Sequence, residues 1–336
     1  MKSKEQLALR TYNQVHIPRK YEKGKRRISV YISWSYPGES NRNPAELDNR
    51  FSTMTEVKKV LWPDYEWADL SSFLQGISGS LELFFVAWVY FQEFCGEVSG
   101  YPVPVYQRID QAGYKLPIDE RILEDTDTLF IFGLDHMITD QEASAGEIEA
   151  IENFLKREGT CLVIGPHHDV GISDDLKLRQ MEYLHHGDAL VPRQQRFGKY
   201  TRSILNGLGI PVENKYGLRP AVVKGTNKVA PFTPNRDLDT KGWLKGVTSF
   251  NFHMHLPHYE ITKNDGSINL LATQPIDLSN PHPFTEAGNT EFNSFIWIKP
   301  DGKRAGDVLI ADSTIFSTLF GADESLENFW RNISTL

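Results

Sequence analysis

The stretch Asp127–Gly171, DTLFIFGLDHMITDQEASAGEIEAIENFLKREGTCLVIGPHHDVG, decides the fold class. Leu129–Phe132 is a short apolar run that ends at Gly133, the pattern of a buried strand. Thr139–Lys156 then carries Ile148, Ile151, Phe154 and Leu155 at helical spacing. Thr139 and Glu142 resemble a capping box, and Gly159 stands where a left-handed C-cap ends a helix. Cys161–Ile164 is a second apolar run. Strand, helix and strand make a βαβ unit, which predicts a mainly parallel sheet and an α/β fold. Polar residues follow both strands: Asp135 and His136 after the first, His167, His168 and Asp169 after the second. Ligands of open α/β sheets bind at the carboxyl ends of the strands, so function is expected there.

Outward from this unit, Ile28–Trp34 reads as a first strand, broken by Tyr36-Pro37-Gly38. Residues 1–26 read as a polar arm, and 27–336 as a single α/β domain with long loop insertions. Phe51–Leu61 and 80–95 read as helices, and Tyr101–Val105 as an edge strand limited by Pro102 and Pro104. Ile172–Val191 reads as a polar loop over the mouth of the sheet, and Arg193–Leu208 as a helix. Val212–Val223, Phe250–Ile261, Ile268–Thr273, Ser294–Ile298 and Asp307–Ala311 read as strands, 224–245 as a loop, and Leu326–Ile333 as a terminal helix.

With 336 residues and a formal net charge of −8, the chain can bury a large core and is poorly suited to nucleic acid or anionic membrane. Two cysteines, Cys95 and Cys161, sit in apolar runs and imply no disulfide framework, so a reducing, cytoplasmic compartment is expected. The first residues lack the apolar core of a signal peptide. Leu81–Cys95 is apolar but interrupted by Glu82, Gln92 and Glu93, and it is shorter than the roughly 20 residues of a membrane span. Its aromatic residues suit a buried helix or a homo-oligomer contact.

Phe250–Leu256 alternates strictly, placing Asn251, His253 and His255 on one face of a strand. His258 and Glu260 follow Pro257. Clustered histidines with a carboxylate describe a zinc or iron site. His253 and His255 with one or both of His167 and His168 are the expected ligands. Glu260, Asp169 and His258 are the expected acid–base residues or orienting partners. Asp312, ending the last buried strand, is expected either to meet a ligand or to cap the turn after it. His185 and His186, in the polar loop, read as solvent-facing side chains without a site role, and His16 and His282 as surface residues.

Gly133–Pro166, Ile204–Val212 and Gly306–Ser317 together resemble the class I glutamine amidotransferase-like superfamily, closest to the trehalose-utilisation-type proteins and the auxiliary domains of gliding-motility ABC transporters. The resemblance implies a flavodoxin-like three-layer sandwich. It also implies a nucleophilic cysteine in a Gly-x-Cys-x-Gly elbow and a later His-x-Glu pair. At the elbow this chain has Gly165-Pro166-His167-His168-Asp169, and His258-Tyr259-Glu260 is similar to the later pair. The nucleophile is missing, so thioester chemistry is not available.

The expectation is therefore a metal-dependent hydrolase of a small amide, lactone or similar carbonyl substrate. The alternative is a non-catalytic binding or scaffold module on the same fold, and a third reading is metal-free acid–base catalysis by His258 and Glu260.

Overall fold

The computed structural model describes residues 18–33, 87–108, 116–135, 137–186, 194–250, 255–263, 266–318 and 321–336. An eight-stranded sheet runs through it, in the order β2-β1-β3-β4-β12-β11-β10-β8. These strands are β1 (Ile28–Ile32), β2 (Val105–Gln107), β3 (Thr128–Gly133), β4 (Cys161–Pro166), β8 (Thr233–Pro234), β10 (Ile268–Pro275), β11 (Glu291–Ile298) and β12 (Asp307–Ala311). β2, β1, β3, β4 and β12 pair in parallel, and β11, β10 and β8 extend the sheet antiparallel. The chain is a mixed α/β protein with a mainly parallel sheet.

The two runs of the deciding stretch are neighbours, with Leu129 opposite Leu162 and Ile131 opposite Ile164. Successive residues of β3 enter opposite apolar clusters, as a strand covered on both faces requires. Phe130 and Phe132 join Phe91, Phe316, Phe329 and Trp330. Leu129 and Ile131 join Ile151, Phe154, Tyr200 and Ile204. The first cluster is built on helices α1 (Val89–Ser99) and α7 (Glu324–Thr335), the second on α3 (Ala145–Leu155) and α5 (Lys199–Gly207); α2 (Glu120–Leu123), α4 (Leu176–His186) and α6 (Pro283–Glu286) complete the helices described.

Three local expectations are corrected. Helix α3 starts at Ala145, capped by Ser144 and Glu147 in a capping box; Thr139 instead closes a short 3-10 turn. Asp140, with a left-handed φ of 51°, separates the two. The polar stretch after Gly171 contains a helix, α4, whose first turn is capped by Asp175 accepting from the amides of Lys177 and Leu178. The histidine strand begins only at Leu256. As β9 (Leu256–Ile261) it pairs with β7 (Val212–Leu218) in a separate antiparallel ribbon; β5 (Asp169–Val170) and β6 (Gln195–Arg196) form another.

Residues 251–254, and His253 with them, lie outside the described residues, as do His16, His136, Trp34, Tyr36, the helix expected at 51–61 and residues 80–86. The described part of the aromatic helix continues to Ser99, where Gly100 closes it at φ 82°. It directs Phe91 and Phe94 onto Trp330, leaving Val89 and Tyr90 half exposed. The irregular lead-in is anchored by buried Arg19, which binds Asp125. Among the described residues, no helix is long and apolar enough to cross a membrane.

Candidate metal centre

The turn after β4 is clamped from four directions. Ser313 Oγ accepts from the amide of Gly133 at 3.0 Å and donates to the carbonyl of Gly165. Tyr259 donates its hydroxyl to the Pro166 carbonyl at 3.0 Å, and the His167 amide donates to Gly133 at 3.0 Å. Asn214 donates to the His167 carbonyl. Gly165 is required by the closeness of this crossing. A Cβ there would stand 2.7 Å from the Ala311 carbonyl oxygen and from Ser313 Oγ. β3, β4, β7, β9 and the segment after β12 therefore hold His167 and His168 on a rigid support.

On that support three histidines converge. His167, His168 and His255 each offer a donor atom, and the three atoms lie within 4.8 Å of one another. Two nitrogens on one tetrahedral ion, each about 2.1 Å from it, stand about 3.4 Å apart, so three donors at this spacing could share one ion. Their ring centroids are 4.0 Å apart for His167 and His168, and 4.2 Å for His168 and His255. Phe197 meets the rings of His167 and His168 at 5.4 and 5.3 Å and supplies an apolar wall.

The surrounding carboxylates are already engaged. Asp312 holds His167, Oδ1 to Nδ1 at 2.8 Å, while its other oxygen receives the amide and hydroxyl of Thr314. It caps the turn after β12, one of the two roles expected of it, and holds a site histidine with its other oxygen. Asp169 is buried between Arg196 (3.1 Å) and Arg202 (3.3 Å). Burial pushes its carboxyl up to about 6, against the pull of both guanidinium groups. Glu260 pairs with Lys215 on the ribbon. His258 accepts from the Asn293 amide at 3.2 Å and packs on Phe284, and burial pushes its ring down to about 4. Of the expected residues, the structure brings together His167, His168 and His255. Asp169, His258 and Glu260 are placed in contacts of their own.

His186, at the end of α4, is the residue that sequence reading set aside. It is buried, its Nε2 lies 2.9 Å from His168 Nε2, and its ring stacks on His255 at 3.8 Å. The available signal was Asp175, an N-cap eleven residues earlier that announces a helix rather than a loop. His185 and His282 also prove buried and meet edge to face, with ring centroids 5.1 Å apart. Burial lowers the affinity of both for a proton, that of His282 to about 3.

No family model matches the chain. No curated protein matches it. Among solved structures, the mmIFT52 N-terminal domain aligns at a TM-score of 0.36 and 9% identity, over 68% of this chain and 81% of that one. A similarity this low carries no argument about fold family or function.

Proposed function

We propose that the chain is a metal-dependent hydrolase of a small amide, lactone or similar carbonyl substrate. The observation that carries the reading is the convergence of His167, His168 and His255, with Asp312 behind His167. Imidazole donors suit Zn²⁺ or Fe²⁺, and three protein ligands are the number that leaves a position for water or substrate. Such an ion would lower the pKa of a bound water and polarise a carbonyl. The chain's own residues do the rest. Asp312 fixes the orientation of His167, the clamped 165–168 turn holds both strand-end histidines, and Phe197 keeps water from one side.

The glutamine amidotransferase-like relationship and flavodoxin-like layering are part of the same proposal. The Gly165-Pro166-His167 turn supports them by standing at the carboxyl end of a central parallel strand. In this reading an imidazole stands where that superfamily keeps its thiol. The second reading, a binding module without turnover, is favoured by one observation: Glu260 and Asp169, the expected bases, are both held in ion pairs.

The deciding experiment is elemental analysis of protein purified without chelator or affinity tag, followed by assays on small amides and lactones. About one equivalent of zinc or iron per chain, lost in His255→Ala together with turnover, supports the hydrolase. Metal without turnover on any such substrate supports the binding module. No metal after reconstitution removes the centre.

A further inference from the structure

We infer that His186 is a positioning residue of this centre: it holds His168 through Nε2, so that His168 presents Nδ1 to the ion. The inference rests on the metal-centre reading above and adds to it a residue on a separate element. Two ring nitrogens 2.9 Å apart form one hydrogen bond, with one ring donating and the other accepting. If Nε2–H of His168 donates, the lone pair left on that ring is at Nδ1.

The alternative, His186 as a fourth ligand, conflicts with the stacking. A ring binds an ion in its own plane, and the planes of His186 and His255 are only 19° apart with centroids 3.8 Å apart. Two rings piled in this way do not both point at one ion. The stack instead fixes the plane of His255 while the hydrogen bond fixes His168, so one residue orients two ligands.

Two further observations show that His186 is itself held. His185, its neighbour on α4, accepts from the Arg219 amide at 2.8 Å and contacts the Asn280 carbonyl at 2.6 Å through its other nitrogen. This ties the end of α4 to the end of β7. Within β7 the register shifts between Lys215 and Gly217, and Tyr216 adopts φ 51°, an outlier for a bulky residue. The bulge brings Gly217 against both rings: a Cβ there would stand 2.7 Å from His168 Cδ2 and 2.9 Å from His186 Cδ2. The strand leaves room for this histidine pair and for nothing larger.

The arrangement has a chemical consequence. Asp312 supports His167 with a carboxylate oxygen, whereas His186 supports His168 with a ring nitrogen. His167 and His168 would thus hold a cation with one carboxylate behind them rather than two, which would leave more of its charge to polarise a carbonyl.

The test measures Zn²⁺ affinity by chelator competition and the number of bound imidazoles by X-ray absorption, on the full chain. Wild type should bind one ion through three imidazoles. His186→Ala should bind it 10–100-fold more weakly, still through three. His186→Gln, whose amide oxygen accepts from His168, should recover most of the affinity. Gly217→Ala removes no ligand and has a backbone that alanine adopts readily, yet it should weaken binding by displacing the pair; it serves as the second probe if His186→Ala fails to fold. An affinity unchanged in both His186→Ala and Gly217→Ala overturns the inference. So does a lost imidazole in His186→Ala, which would make His186 a ligand. Wild-type protein that binds no Zn²⁺ is a different failure, that of the metal centre itself.

Discussion

Oδ1 of Asp312 stands 2.8 Å from Nδ1 of His167, and the two residues come from the ends of adjacent parallel strands. A carboxylate only accepts, so Nδ1 of the neutral ring carries the hydrogen and Nε2 is left as the lone pair for an ion. Asp312→Asn keeps the shape but has one acceptor oxygen where the carboxylate has two: with that oxygen capping Thr314, its amide nitrogen faces the Nδ1 hydrogen of His167 and the hold on the ring is lost. Zn²⁺ affinity should fall on the order of tenfold or more, while the thermal midpoint moves little. Chelator competition beside calorimetry checks this. A midpoint loss with unchanged affinity would show that Asp312 serves the turn alone.

The cysteines should be chemically silent. Cys95 and Cys161 are fully buried, and burial pushes both thiols up to about 12. A thiol that stays protonated at neutral pH is neither nucleophile nor alkylation target. Iodoacetamide at pH 8 should leave the native chain unmodified and label two sites once it is unfolded. Labelling of Cys161 in the native state would contradict its place inside β4 and reopen covalent catalysis.

His282 should make the fold acid-sensitive. Its Nδ1 accepts from the Phe284 amide at 2.9 Å at the start of α6, a bond that a proton on that nitrogen destroys. Its pKa lies near 3 when folded against an ordinary value of 6.5. Between these values the unfolded chain holds a proton that the native chain refuses, so stability is lost as pH falls from 6.5 towards 3. His258, at about 4, acts in the same sense, and Asp169, raised to about 6, acts in the opposite sense between 3.8 and 6. A single variant isolates the contribution of His282. His282→Asn retains an N-cap acceptor but does not titrate, so its stability relative to wild type should rise by roughly 1.4 kcal/mol per pH unit on acidification through this window. Parallel denaturant midpoints at pH 7, 6 and 5 measure it. Equal pH slopes in the two proteins would remove His282 from the account.

Much of the fold was legible because burial on both sheet faces leaves an uninterrupted apolar run, as in Leu129–Phe132 and Cys161–Ile164. Asp307–Ala311 was readable to the residue for the same reason. The site was legible where a histidine follows such a run, as His167 and His168 do. It was not legible where long-range contacts decide. Alternation through His253 and His255 suggested one strand from Phe250, but the ladder with β7 starts at Leu256 and leaves His255 just ahead of it. Nothing local to His186 marks it as buried; its partners, His168 and His255, lie 18 and 69 residues away. Glu260 looked available because its partner Lys215 is on another strand.

Long-range contact also hid a deeply buried ion pair at the carboxyl side of the parallel sheet, and its removal should be costly. Arg108, just past β2, and Glu147, on α3, lie 2.7 Å apart with side chains 2% exposed. Arg108 also donates to Gln141 at 2.7 Å and to Tyr31 at 3.1 Å, and Tyr200 donates to Glu147 at 2.7 Å. Glu147 closes the capping box of α3 as well, so the pair ties a helix start to a strand end. Arg108→Met would leave a buried carboxylate without its counter-charge, a loss of about 3–5 kcal/mol. The double variant Arg108→Met/Glu147→Leu removes both charges and should recover a good part of that loss, because the desolvation penalty goes with them. In the double variant Tyr31 loses Arg108 while Tyr200 and the Ile118 amide lose Glu147, which keeps the recovery incomplete. Urea unfolding of the wild type, both singles and the double gives the coupling directly. Additive effects would mean that Arg108 and Glu147 stabilise the protein through their other hydrogen bonds and not through each other.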